Sequence, residues 1–147
     1  MLASLRFAAI MLTALVLVPG GAHFFAMATK LSMSAEDYFV AQQAYRGWAL
    51  FAIPLFGAIA ANLALGTALR RRDGRAWPAF AAAALILATL AIFFIWTFPA
   101  NQATQNWTVM PQNWGTLRRQ WEYSHAVNAV LTFVALCLGA ALPSPRR

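Results

Sequence analysis

Four apolar runs decide what this chain can fold into. They fall near residues 3–31, 35–71, 77–98 and 114–142. Each is about as long as the ~20 residues a helix needs to cross the hydrocarbon of a bilayer. In hydrocarbon every backbone N–H and C=O must be bonded within the protein, which leaves only helices and closed barrels. Long apolar runs without two-residue alternation select helices. The expected fold is therefore all-α, an integral membrane antiparallel four-helix bundle forming one domain over 1–147. The 61% hydrophobic and 10% charged composition agrees with it. The runs use up the length, leaving no room for a separate soluble domain.

Breaks within the runs predict local features. Pro19 deprives the Leu15 carbonyl of its helical donor, so a bend is expected there. Gly20 and Gly21 let a neighbouring helix come close. Residues 3–31 also resemble a secretory signal, with Arg6 ahead of the apolar run and Ala26-Met27-Ala28 as a cleavage site. The length of the run and its Pro-Gly-Gly and His23 interruptions favour a retained helix. Ser34 with Asp37 three residues on reads as a helix N-cap. Pro54 predicts a bend in the second helix, and Asn62 a hydrogen bond to another helix. Pro78 suits a first helical turn. Pro99 is expected to close the third helix. The connection from Ala100 to Asn113 is long enough to fold over a site as a lid. Asn106-Trp107-Thr108 matches a glycosylation sequon, a motif common by chance. Pro143 and the residues after it should stop the fourth helix.

Charge sets the orientation. The net charge is +7, and such a balance raises the question of nucleic acid. Here the basic residues cluster at loops and ends, so we read them as a membrane-orientation signal and expect no nucleic-acid partner. Arg6, Arg70, Arg71, Arg72, Arg75, Arg146 and Arg147 fall on one side; Lys30, Arg46, Arg118 and Arg119 fall on the other. Both termini should be cytoplasmic, and the Ser34 region and the 101–114 connection should face outside. Cys137, the only cysteine, excludes an internal disulfide and any cysteine-cluster metal site.

The chemistry concentrates in the fourth run. As a helix it carries Trp114, Arg118, Trp121, His125, Asn128 and Thr132 on one stripe, at alternating steps of four and three. Glu122 lies within reach of Arg118 and His125. Ionisable groups inside a membrane span are functional candidates by default. The plain alternative is anchoring at the membrane interface, which is our expectation for Arg119 and Trp107. In the second run Tyr38, Gln42, Tyr45 and Arg46 share a face, either as site residues or as a solvated helix end. His23 is either a packing residue or a site residue. The topology gathers His23, Gln42, Tyr45, Arg46, Asn101, Trp114, Arg118, Trp121, Glu122 and His125 in the outer half. We expect His125, Glu122 and Arg118 to act as a charge-coupled catalytic set. His23, Gln42, Tyr45, Arg46, Asn101, Trp114, Trp121 and Asn128 would line the substrate site.

Four stretches carry a family resemblance: PGGAHFF, YFVAQQAYRGW, FPANQATQNW and NWGTLRRQWEYSHAVNA. Nearly the whole chain resembles the anthrone-oxygenase-like family of small four-helix bacterial membrane proteins. The fungal members oxidise polyketide anthrones to anthraquinones. The resemblance implies a bacterial inner-membrane location and an oxygenase-like precedent.

Three functions follow as expectations. The first is a membrane oxygenase or oxidoreductase on an apolar aromatic, anthrone- or quinone-like molecule. His125 would be its base, tuned by Glu122, with Arg118 or Asn128 stabilising the anion and Trp114 and Trp121 stacking on the ring. The second is a haem or metal protein using His23 and His125; the sequence itself requires no cofactor. The third is a non-catalytic subunit or carrier, working as a homo-oligomer or within a larger membrane complex.

Overall fold

The computed structural model describes residues 1–72 and 75–142. Asp73 and Gly74 of the basic loop, and the expected stop at Pro143 with Arg146 and Arg147, lie outside the described residues. Six α-helices are present among the described residues: α1 (Leu2–Ser32), α2 (Ala35–Gln42), α3 (Ala52–Arg70), α4 (Trp77–Ile92), α5 (Phe98–Ala103) and α6 (Trp114–Ala140). Four helical segments are long and apolar enough to cross a membrane: Leu2–Ser32, Trp48–Arg70, Trp77–Ala103 and Trp114–Ala140. α1 packs on α3 and α6, and α4 packs on the same two. That ring of neighbours, joined in chain order, is a four-helix bundle.

Two expected helices are interrupted. The second run is not continuous from 35 to 71. After α2 the chain makes a 3-10 turn at Gln43–Tyr45, and at Gly47 it takes φ 85°. Glycine enters that left-handed region without a Cβ penalty. A second 3-10 turn, Trp48–Phe51, leads into α3. Pro54 therefore falls in the first turn of α3, where helix N–H groups lack partners anyway, and it starts the helix where we expected a bend.

The third run does not end at Pro99. The helix widens into a π turn at Phe93–Thr97, with the Phe98 N–H bonded five residues back to Phe93, and resumes as α5 with Pro99 in its first turn. The Gln120 side chain donates to the Trp96 carbonyl beside that turn at 2.7 Å. α1 passes through Pro19 as one helix.

The half of the bundle nearer Leu2 and Ala140, called the inner half after its place in the expected orientation, is sealed by small side chains. Val16, Ala58, Ile59, Ala82, Ile86 and Ala135 form one buried cluster, and Ala9, Leu65, Ala79 and Leu142 another nearer the chain ends. Alanine and glycine at contacts let helix backbones approach. A Cβ added to Gly66 would meet the Phe80 ring at 2.9 Å. A Cβ added to Gly20 would lie 3.3 Å from the Ala129 Cα, whereas one added to Gly21 would meet open space. Asn62 makes the expected interhelical bond, donating to Thr13 Oγ1 at 3.2 Å and to its own helix at Ala58. Ser34 caps α2 through the Asp37 N–H and donates back to Asp37. Outward faces present Phe7, Phe25, Leu50, Ile53 and Phe133 to the surroundings, as lipid requires.

Candidate functional site

The site is built on helix arithmetic. His23 and Lys30 are seven residues apart on α1, two turns up the same face. Trp121, His125 and Asn128 follow the same rule on α6. The Gly20–Ala129 contact brings the two helices close enough for those faces to meet. The His23 and His125 rings lie 4.3 Å apart, centroid to centroid, with planes tilted by 32°. Tyr45 packs on His23 at 4.3 Å. Trp121 touches both histidines, at 4.8 Å from His23 and 4.1 Å from His125. Trp48 closes on Tyr45 at 4.8 Å. The interruption at Gly47 thus turns Tyr45 and Trp48 onto the histidines.

Above the rings runs a buried polar chain. Glu122, 1% exposed, receives the Lys30 Nζ at 2.8 Å and the Tyr38 hydroxyl at 2.9 Å, both on Oε1. Gln42 donates to the Tyr38 oxygen at 2.8 Å. Lys30, 3% exposed, also lies 3.3 Å from His23 Nδ1. An ammonium only donates, so Nδ1 accepts and a neutral His23 carries its proton on Nε2. The Lys30 head sits over the rings of Trp121 and Tyr45, at 4.8 and 5.0 Å. Burial and then the Glu122 charge push the Tyr38 hydroxyl far above the ordinary tyrosine range, and Tyr45 upward for the same two reasons. Tyr38 therefore stays protonated and donates.

Lys30–Glu122 is the one ion pair among the described residues. This changes the expected set. Arg118 does not pair with Glu122: it donates to the Met33 carbonyl at 2.8 Å, at the carbonyl end of α1, where a cation is favoured. Its guanidinium stacks on Trp114 at 4.6 Å. No hydrogen bond joins Glu122 to His125 among the described residues. Trp114 and Arg118 pin helix ends together. Trp107, expected as an interface anchor, is a buried residue of the connection itself and packs on Tyr38 and Trp121.

A cavity of about 910 Å³ opens beside the rings. His23, Gln42, Tyr45, Arg46, Asn101, Trp121, His125 and Asn128 line it; Trp114, Arg118 and Glu122 do not. Its remaining wall is largely apolar, including Val16, Leu55, Leu90, Phe93 and Phe98. The connection covers part of it with Gln105, Asn106, Trp107 and Thr108. Gln105, Asn106 and Trp107 all have positive φ, from 47° to 63°. Such a non-glycine run is strained. It is held by the Asn101 carbonyl on Asn106 N–H, by Thr104 Oγ1 on Trp107 N–H, and by Gln43 donating to the Trp107 carbonyl. Asn101 Oδ1 accepts from both Trp107 and Trp121, at 3.1 and 2.8 Å. Three cavity residues keep one buried polar atom without a protein partner: Gln42 Oε1, His125 Nε2 and Asn128 Oδ1.

The histidine pair does not fit a shared haem. Two axial imidazoles on one iron hold their centroids roughly 6 Å apart on opposite faces, given metal–nitrogen bonds of about 2 Å. Here the rings touch. No group of three or more His, Cys, Asp or Glu converges for a metal among the described residues.

Sequence reasoning missed Lys30 and Trp48 as site residues, and Tyr38 as the centre of the polar chain. The signal for Lys30 was its two-turn spacing from His23, and for Tyr38 its one-turn spacing from Gln42.

Fold and site together define a class: an all-α membrane protein, by the length and composition of its helices, with a buried ion pair beside an aromatic-walled cavity. No protein-family model, curated protein or solved structure matches the chain. Its function is therefore argued from its own residues.

Proposed function

We propose that the cavity binds an apolar aromatic molecule, anthrone- or hydroquinone-like, and that His125 is the base for its oxygenase-type oxidation. The observation that carries this is a histidine with an unpartnered buried nitrogen on the wall of a largely apolar, ring-lined cavity. Cavities of this size and lining suit flat apolar ligands. For an anthrone, His125 removes a proton from the activated methylene, and the electron-rich anion gives its electrons to dioxygen. One oxygen atom becomes the new ring carbonyl; the other leaves as water with the two methylene hydrogens. Asn128 and Arg46, both on the cavity wall, stabilise the anion. Glu122 and Lys30 act behind His23, as positioning residues. The sequence resemblance to anthrone oxygenases supports this reading.

The test is oxygen uptake by the detergent-solubilised protein with a hydroxyanthrone. His125→Phe should lower turnover by roughly 10²–10⁴-fold, the usual worth of acid–base assistance, while helicity is retained. Unchanged turnover in that variant would end the proposal.

We propose a bacterial inner-membrane location with both termini and the 70–75 loop in the cytoplasm, on the positive-inside rule. Exposed Arg70, Arg71, Arg72 and Arg75 support it. In a Cys137→Ala background, a cysteine at position 72 should resist impermeant maleimide in intact cells. Ready labelling there would reverse the topology.

A further inference from the structure

The polarity of the cavity's hydrogen-bonding end is fixed by a chain that begins at Glu122. Paired with Lys30, Glu122 is a carboxylate and can only accept. Tyr38 has one hydrogen and spends it on Glu122 Oε1. Its oxygen is then an acceptor, so the Gln42 group 2.8 Å away must be the amide NH₂. The usual ambiguity between the oxygen and nitrogen of a glutamine amide is removed by its neighbours. Gln42 Oε1 is thereby turned away from Tyr38. It is buried without a partner in a residue only 4% exposed, which lines the cavity. A buried carbonyl left unpaired is costly, and only a donor relieves it.

We propose that Gln42 is a specificity-determining residue that reads a hydroxyl on the bound molecule. The site then takes hydroxyl-bearing aromatic molecules in preference to their ether or fully oxidised carbonyl counterparts, whose oxygens have no hydrogen to offer. This rests on reading the cavity as an aromatic-molecule site, and it deepens that reading.

The test is equilibrium binding, separate from turnover. The probes are 2-hydroxyanthraquinone and 2-methoxyanthraquinone, followed by quenching of tryptophan fluorescence, since Trp48, Trp107 and Trp121 line the cavity. Each probe also partitions into detergent, but that factor cancels when the ratio of the two affinities is compared between variants. The wild type should favour the hydroxyl probe about tenfold more than Gln42→Met does, the worth of one modest hydrogen bond. Affinity for the methoxy probe should be nearly unchanged. Tyr38→Phe, which frees the Gln42 amide to turn, should narrow the ratio in the same direction and serves if Gln42→Met does not fold. The proposal is overturned if Gln42→Met keeps the wild-type ratio, if it weakens both probes equally, or if neither probe binds the wild type. Intact discrimination without any oxygen uptake would sink the oxidation and leave the hydroxyl reading standing.

Discussion

The two halves of the bundle are held together by opposite means. In the inner half, Ala58, Ala82 and Ala135 let backbones close on one another, and the only buried polar contact between helices among the described residues joins Asn62 and Thr13. In the outer half, large rings pack between the helices, and a carboxylate, an ammonium and a phenol are buried among them. Close packing of small residues needs no partner chemistry. Rings of unequal shape leave a cavity, and the charges beside it persist only because each is bonded. The outer half thus trades packing for polar groups at defined positions, as expected where a site has to be kept.

The comparison can be broken most severely at Lys30. Lys30→Met leaves Glu122 buried without its counter-charge, and should cost about 3–5 kcal/mol in detergent thermal or denaturant unfolding. Adding Glu122→Leu should recover much of that loss, because well-packed apolar pairs replace buried ion pairs at little cost. If Lys30→Met is no worse than a methyl deletion in the inner half, the ion pair does not hold the outer half. In the inner half, Gly66→Val forces the Phe80 ring off α3 and should cost about 1–3 kcal/mol, with probe binding in the cavity unchanged. Altered binding there would mean the halves are not independent. The mildest effect is alkaline. Tyr38 and Tyr45 hold their protons above the ordinary 10.0 of tyrosine. As pH rises past that value, the unfolded chain releases protons that the folded chain retains, so stability should fall. Spectrophotometric titration should find both phenols ionising late, only as the outer half opens. Ionisation of Tyr38 and Tyr45 near pH 10 in folded protein would contradict those upward shifts.

The four spans were legible because apolar length and hydrogen-bond closure in hydrocarbon leave one solution. The gathering of His23, Gln42, Tyr45, Trp121 and His125 was legible because topology alone puts them at one level. The breaks were not. Gly47 sits in a run whose helical pattern continues on both sides, and nothing local says that its freedom is used. Pro99 reads as a terminator because the π turn before it, which lets the helix continue, has no sequence mark of its own. Lys30 enters the sequence reading only as an orientation charge, and a lysine at a helix end usually reaches water. Only the partner across the bundle, Glu122, shows otherwise. The same blindness assigned Glu122 to Arg118, its neighbour in sequence, when Lys30 was nearer in space.

The π turn at Phe93–Thr97 is equivalent to one surplus residue in an α-helix. One residue is about 100° of rotation at 3.6 residues per turn, so everything after it on that segment faces where it does because of that surplus. Asn101, which holds the indoles of Trp107 and Trp121 with one oxygen, lies downstream. A single-codon deletion within 94–96 that returned the segment to regular winding would swing Asn101 about a quarter-turn away from both indoles, without removing any residue of the cavity wall. The alignment of the connection over the cavity is in this sense a matter of counting: it depends on how many residues precede Asn101 as well as on which ones they are.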